Sequence, residues 1–166
     1  MIIRFCKIAL TAVSVFFLAL VVLNNVTDYG SNFGFVQHVL GMDTTFPGNT
    51  ARWRAITAPW VHHAFYASII LWEATAATLL AAGTLRLWRA RAAPAAEWRR
   101  AKPLAALGLT LSLIQWYAAF ICVGGEWFLM WQSKTWNGQD AAFRMFAMMG
   151  LSLLFLLQRE EETEAA

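Results

Sequence analysis

Four stretches of the chain stay apolar for nearly the length a helix needs to cross about 30 Å of hydrocarbon, roughly 20 residues each. They run over 8–23, 60–85, 103–123 and 141–157. Polar residues collect between them, in 24–59, 86–102 and 124–140, and in a short acidic tail at 158–166. The pattern predicts a single all-α domain, a four-helix transmembrane bundle. The third span is expected to run on through Glu126, Trp127 and Trp131 as a helix leaving the membrane. No internal repeat relates the two halves, and Gly83, Gly108 and Gly150 are too scattered to form a helix-dimerisation motif.

Composition narrows the class further. Of 166 residues, 59% are hydrophobic and 14% charged, too apolar for a water-soluble domain of this size. Charge placement then predicts orientation. The 86–102 segment holds Arg86, Arg89, Arg91, Arg99, Arg100 and Lys102 against the single acid Glu97, so the positive-inside rule makes it cytoplasmic. Both termini then lie on the same side, N-in and C-in, and 24–59 with 124–140 form an outer cap, periplasmic if the chain sits in a bacterial inner membrane. Trp53, Trp60, Trp127, Trp131 and Trp136 would mark the outer headgroup level, Trp88 and Trp98 the inner one. The basic loop reads as a topology signal and a contact for anionic lipid rather than nucleic acid. Arg4 and Lys7 before an apolar run also describe a secretory signal, but no small-x-small cleavage site follows, so the first span is expected to be an uncleaved anchor. Cys6 and Cys122 fall near opposite faces, too far apart to bond.

The connection between the first two spans is expected to be structured. Phe33, Val36 and Leu40 recur at helical spacing within Asn32–Leu40, which predicts a short helix lying on the membrane surface with His38 on its other side. Thr44, Thr45, Pro47, Gly48 and Asn49 then read as a turn.

Polar side chains inside the spans carry the candidate chemistry, because an ionisable group at a helix centre costs roughly 2.5 to 3.5 kcal/mol. Glu73 lies thirteen positions before Arg86, about 20 Å along a helix and near mid-bilayer. Gln115 lies equally far from Lys102, so the two are expected to meet, with the Glu73 carboxyl donating a hydrogen bond. Steps of seven or eleven residues return to one helix face. They place His62, Tyr66 and Glu73 on one stripe, Gln115, Cys122 and Glu126 on a second, and Thr11, Ser14, Leu18 and Asn25 on a third. Arg144 sits at about the depth of Glu126, and an ion pair between them is expected. His62 and His63 admit two sharper readings: one imidazole as an axial haem ligand with His38 or a second copy of the chain supplying the other, or a metal site completed by Glu126 or Asp28. Neither has a specific spacing behind it, and no phosphate loop, nucleophile elbow or metalloprotease helix occurs. No catalytic or metal-binding residue is assigned.

Several strings in the outer segments are distinctive: Asn24-Asn25, Asp28 to Phe33, His38 to Thr45, Gly124 to Phe128, Trp131 to Ser133 and Trp136 to Gln139. Through them nearly the whole chain resembles a bacterial family known as predicted small integral membrane proteins of unknown function (DUF2165). The resemblance implies a four-span inner-membrane protein and supplies no activity. It directs attention to the outer half, where Asn25, Asp28, His38, His62, Glu126, Trp131, Trp136, Asn137 and Arg144 would converge above Tyr66, Glu73 and Gln115. Amides and aromatic rings around a charged group suit a small amphipathic ligand or the membrane segment of another protein. The expected function is therefore a non-enzymatic accessory subunit or binding module, with no cofactor assigned. Two alternatives remain: a redox module binding haem or quinone, and proton-coupled transport through Glu73, which four spans would support only as an oligomer.

Overall fold

A computed structural model describes residues 1–159; the acidic tail read at 158–166 therefore lies, from residue 160 onward, outside the described residues. Among the described residues the chain is helical, with irregular connections and no strand. It comprises α1 (Ile2–Thr27), α2 (Tyr29–Gly41), α3 (Pro59–Arg89), α4 (Ala95–Ile114), which runs on as a π-helix over Gln115–Trp127, and α5 (Gln139–Leu157). Four of these are long and apolar enough to cross a membrane: α1, α3, α4 with its π extension, and α5. The first three run several residues beyond the apolar stretches that mark them in the sequence, and α5 begins two residues before its own. Helical hydrogen bonding continues through polar flanks that hydropathy discounts.

The four long helices form a bundle in which α3 packs on both α1 and α4, α5 packs on α4, and α1 closes the ring on α5 with the slightest contact between neighbours. The α3–α4 crossing is the tightest. A Cβ added to Gly83 would lie 2.2 Å from the Ala105 backbone nitrogen, and one added to Gly108 would lie 2.6 Å from that of Leu80. These glycines, unremarkable as a dimerisation motif, bring two helices of one chain into backbone contact. Leu18, Ala76, Leu80, Leu87, Trp98, Ala105, Leu109, Met149 and Leu156 fill the core around that crossing, each 2% exposed or less.

One end of the bundle is basic, and its cations are built into the structure. Lys7 and Lys102, 1% and 7% exposed, both donate to the Gln158 carbonyl just past α5. Cations belong there, because the last carbonyls of a helix carry its negative partial charge. Arg4 donates to the carbonyls of Arg91 and Ala93, and its guanidinium lies 5.1 Å from the centre of the Trp98 ring. Trp98, expected at a headgroup boundary, is fully buried beneath it.

Helix α2 covers the other end. A single residue, Asp28 at φ −119° and ψ 53°, separates it from α1, so the chain turns sharply and α2 lies across the bundle. Val36, Val39 and Leu40 are buried against Tyr66, Ile69, Phe128 and Met130. The expected helix is present but its apolar side faces protein, not a membrane surface, because the one-residue break leaves it no room to swing away. The turn read over Thr44–Asn49 follows, with Gly48 at φ +78°.

Candidate functional site

Glu73 sits in the middle of α3, 2% exposed, and gathers a hydrogen-bond network from three other helices. Asn25 Nδ2 on α1 donates to Oε2 at 2.6 Å, and Gln115 Nε2, at the start of the π-helix, donates to Oε1 at 2.8 Å. Asn25 is held in turn: its Oδ1 accepts from Asn32 Nδ2 of α2 at 2.8 Å and from the Tyr66 hydroxyl at 3.2 Å. The meeting of Glu73 with Gln115 matches the equal-depth expectation. The direction differs, since the carboxyl accepts at both oxygens instead of donating.

The local sequence explains each position. On α1, Thr11, Ser14, Leu18 and Asn25 are all buried, and so are His62, Tyr66 and Glu73 on α3, as seven- and eleven-residue steps on regular helices require. The stripe expected on the third span fails. Gln115 is buried, but Cys122 and Glu126 are exposed. With i→i+5 bonding the chain turns less per residue, so seven residues fall well short of two full turns. The change of register begins where the Trp72 indole nitrogen donates to the Leu111 carbonyl at 2.8 Å. The Gln115 N–H bonds both Leu111 and Ser112 carbonyls at the same point. A side chain claiming a carbonyl of the ladder is an established cause of helix distortion.

Beside Glu73 a cavity of about 530 Å³ opens among all the long helices and α2. Val21, Asn24 and Asn25 line it from α1, Ser31, Asn32 and Phe35 from α2, Tyr66 and Glu73 from α3, and Trp116 and Phe120 from the π-helix. Thr135 to Gly138 close its rim, with Ala141 and Ala142 of α5 below. Its size falls within the range of sites for small organic molecules, roughly 300–1,000 Å³.

Six of the residues singled out from the sequence belong to this site: Asn25, Tyr66, Glu73, Trp136 and Asn137 on the lining and Gln115 behind Glu73. The rest lie elsewhere. Asp28 is exposed at the α1–α2 break. His38 pairs with Asp43 at 2.7 Å and stacks on Trp136 at 4.6 Å between ring centres, outside the cavity. His62 is buried with Nε2 on the Ile56 carbonyl at 2.7 Å, and His63 Nδ1 meets the Tyr29 hydroxyl at 2.8 Å. Trp131 packs edge-on to Phe46. Glu126 and Arg144 are both exposed and no ion pair joins them, since the π-helix turns Glu126 off the face that a regular helix would give it. Among the described residues no three His, Cys, Asp or Glu side chains group as a metal site would require. Cys6 and Cys122 are free and exposed.

Sequence reasoning missed Asn24, Asn32, Phe35 and Trp116. The available signal was the shortness of the break at Asp28, which folds α2 back over α1 and brings Asn32 to Asn25.

No curated protein and no solved structure matches the chain. A family model described as predicted small integral membrane protein (DUF2165) matches residues 3–159, nearly the whole of the helical bundle just described. The chain is therefore an integral membrane protein belonging to that family.

Proposed function

We propose that this chain is a non-enzymatic binding module of the bacterial inner membrane, whose cavity beside Glu73 takes a small amphipathic ligand, acting alone or as an accessory subunit. The observation that carries the reading is a buried carboxyl, held by amides from two other helices, on the wall of a cavity of about 530 Å³ lined with aromatic rings. A mid-span carboxyl is costly in a bilayer, and its placement on an open cavity instead of a sealed helix contact favours recognition over packing alone. Orientation enters the same proposal. The end holding Arg86, Arg89, Arg91, Arg99, Arg100 and Lys102 faces the cytoplasm with both termini, and α2 with the 135–138 rim faces outward.

The alternatives have less behind them. Haem ligation through His62 Nε2 would have to displace its contact with the Ile56 carbonyl, and His63 and His38, bonded through Nδ1 to Tyr29 and Asp43 and stacked on Phe33 and Trp136, do not line the cavity beside Glu73. Proton-coupled transport would need a polar route from Glu73 toward the basic end. There the interior is the Leu18, Ala76, Leu80, Leu109 and Met149 core, and the Thr11 and Ser14 hydroxyls bond to carbonyls of their own helix.

The reading is tested by native mass spectrometry of protein extracted from its own membranes. A small-molecule adduct retained by the folded protein and lost when the bundle is unfolded is expected. Protein that is adduct-free in every mild extraction would contradict it.

A further inference from the structure

The lining of the cavity also selects a head group, an inference that rests on the binding reading above. Glu73 is the one carboxyl on that lining, and no Lys, Arg or His accompanies it among the described residues. Each of its oxygens accepts one amide N–H, whereas an ionised carboxyl group offers about four acceptor positions, so capacity remains on the side facing the cavity. Trp116, Phe120 and Trp136 contribute aromatic rings, and the negative quadrupole over a ring face attracts cations. An anionic head group would meet Glu73 with no cation to receive it. A neutral hydroxyl would gain one ordinary hydrogen bond.

We infer that the cavity takes a ligand bearing a protonated amine, with the ammonium donating to Glu73 and an apolar body lying against Trp116 and Phe120. The same lining tells a free amine from an aminophospholipid. The phospholipid also carries a phosphate, and the lining offers no cation to pair with it. The volume suits a one- or two-ring amine. Entry lies between α1 and α5, which among the neighbouring long helices make the slightest contact and which both contribute to the wall.

Three near-isosteric probes separate the possibilities: phenethylamine, phenethyl alcohol and hydrocinnamate, titrated calorimetrically into the full chain in lipid nanodiscs, with empty nanodiscs as the baseline for partitioning. Phenethylamine is expected to bind saturably and about tenfold more tightly than the alcohol, the scale of one charge-assisted hydrogen bond. Hydrocinnamate is expected to bind weakest. In Glu73→Gln, a near-isosteric change, the amine should lose its advantage over the alcohol. The wild-type comparison stands independently of any variant. Equal binding of amine and alcohol, or tightest binding of hydrocinnamate, overturns the amine inference and leaves the cavity reading in place. Absence of saturable binding by all three overturns both. Nanodiscs containing phosphatidylethanolamine should give the same amine affinity as nanodiscs lacking it; competition by that lipid would overturn the assignment to a free amine.

Discussion

Asn25 and Glu73, 48 residues apart in sequence, are joined by a 2.6 Å hydrogen bond from the Asn25 side-chain amide to the Glu73 carboxyl. The same Asn25 side chain accepts from Asn32 and Tyr66, so one residue ties α1 to α2 and α3 at the depth where the cavity begins. Its loss should be felt as a network. Asn25→Leu removes a donor from a buried carboxyl and an acceptor from two further groups. We expect a destabilisation of about 1–3 kcal/mol, the usual cost of leaving buried polar groups unsatisfied. Unfolding in mixed detergent and SDS micelles measures it. The double variant Asn25→Leu/Glu73→Leu should cost less than the sum of the singles by about 1–3 kcal/mol, since each single variant alone strands the other partner. Strict additivity would show that the pair is not coupled.

Backbone contact at the α3–α4 crossing gives a second prediction. Gly83→Ala and Gly108→Ala place methyl groups 2.2 Å and 2.6 Å from the facing backbone, where no flexible side chain can yield. Helix separation must follow, at about 1–3 kcal/mol or more each. Gly150→Ala is the control, because its nearest neighbour is the Leu113 side chain at 3.6 Å. Thermal denaturation of the purified proteins should show Gly150→Ala close to wild type and both other variants clearly lower.

The Trp72–Leu111 bond makes a third. Trp72→Phe keeps an aromatic ring but removes the donor that claims the Leu111 carbonyl. The expected loss is about 1 kcal/mol, the net worth of a typical hydrogen bond. Amide hydrogen exchange should change at Gln115 and Trp116, where the helix takes up π bonding. Exchange identical to wild type throughout Gln115–Trp127 would show that the π register has another cause.

Orientation is open to direct chemical labelling. In a background with Cys6 and Cys122 replaced by serine, a cysteine at Ala93, between α3 and α4, should resist a membrane-impermeant maleimide in intact cells. One at Gly48, between α2 and α3, should react. The reverse pattern would place the Glu73 cavity on the cytoplasmic side.

Much of this arrangement is legible in the sequence, for physical reasons that also mark where legibility stops. Apolar length found the four long helices, and helical spacing found the buried faces of α1 and α3, because both rest on regular α-geometry. Equal depth from the basic loop paired Glu73 with Gln115, since two straight helices of equal rise keep their levels. The same reasoning failed from Gln115 onward: the π register set beside Trp72 rotates Cys122 and Glu126 outward and so removes the expected pairing of Glu126 with Arg144. It also missed Asn32 and Trp116. Both reach the site through features that leave no periodic trace, a one-residue break at Asp28 and a change of helix type.

A binding role for the cavity beside Glu73 requires that a small molecule occupy it when the protein is in its own lipid. A density map of the protein in native-lipid nanodiscs tests this most directly. The expected result is density within hydrogen-bond reach of the Glu73 carboxyl, bounded by Trp116 and Trp136. A cavity collapsed by approach of α1 to α5, or filled only by side chains of the bundle, would contradict it.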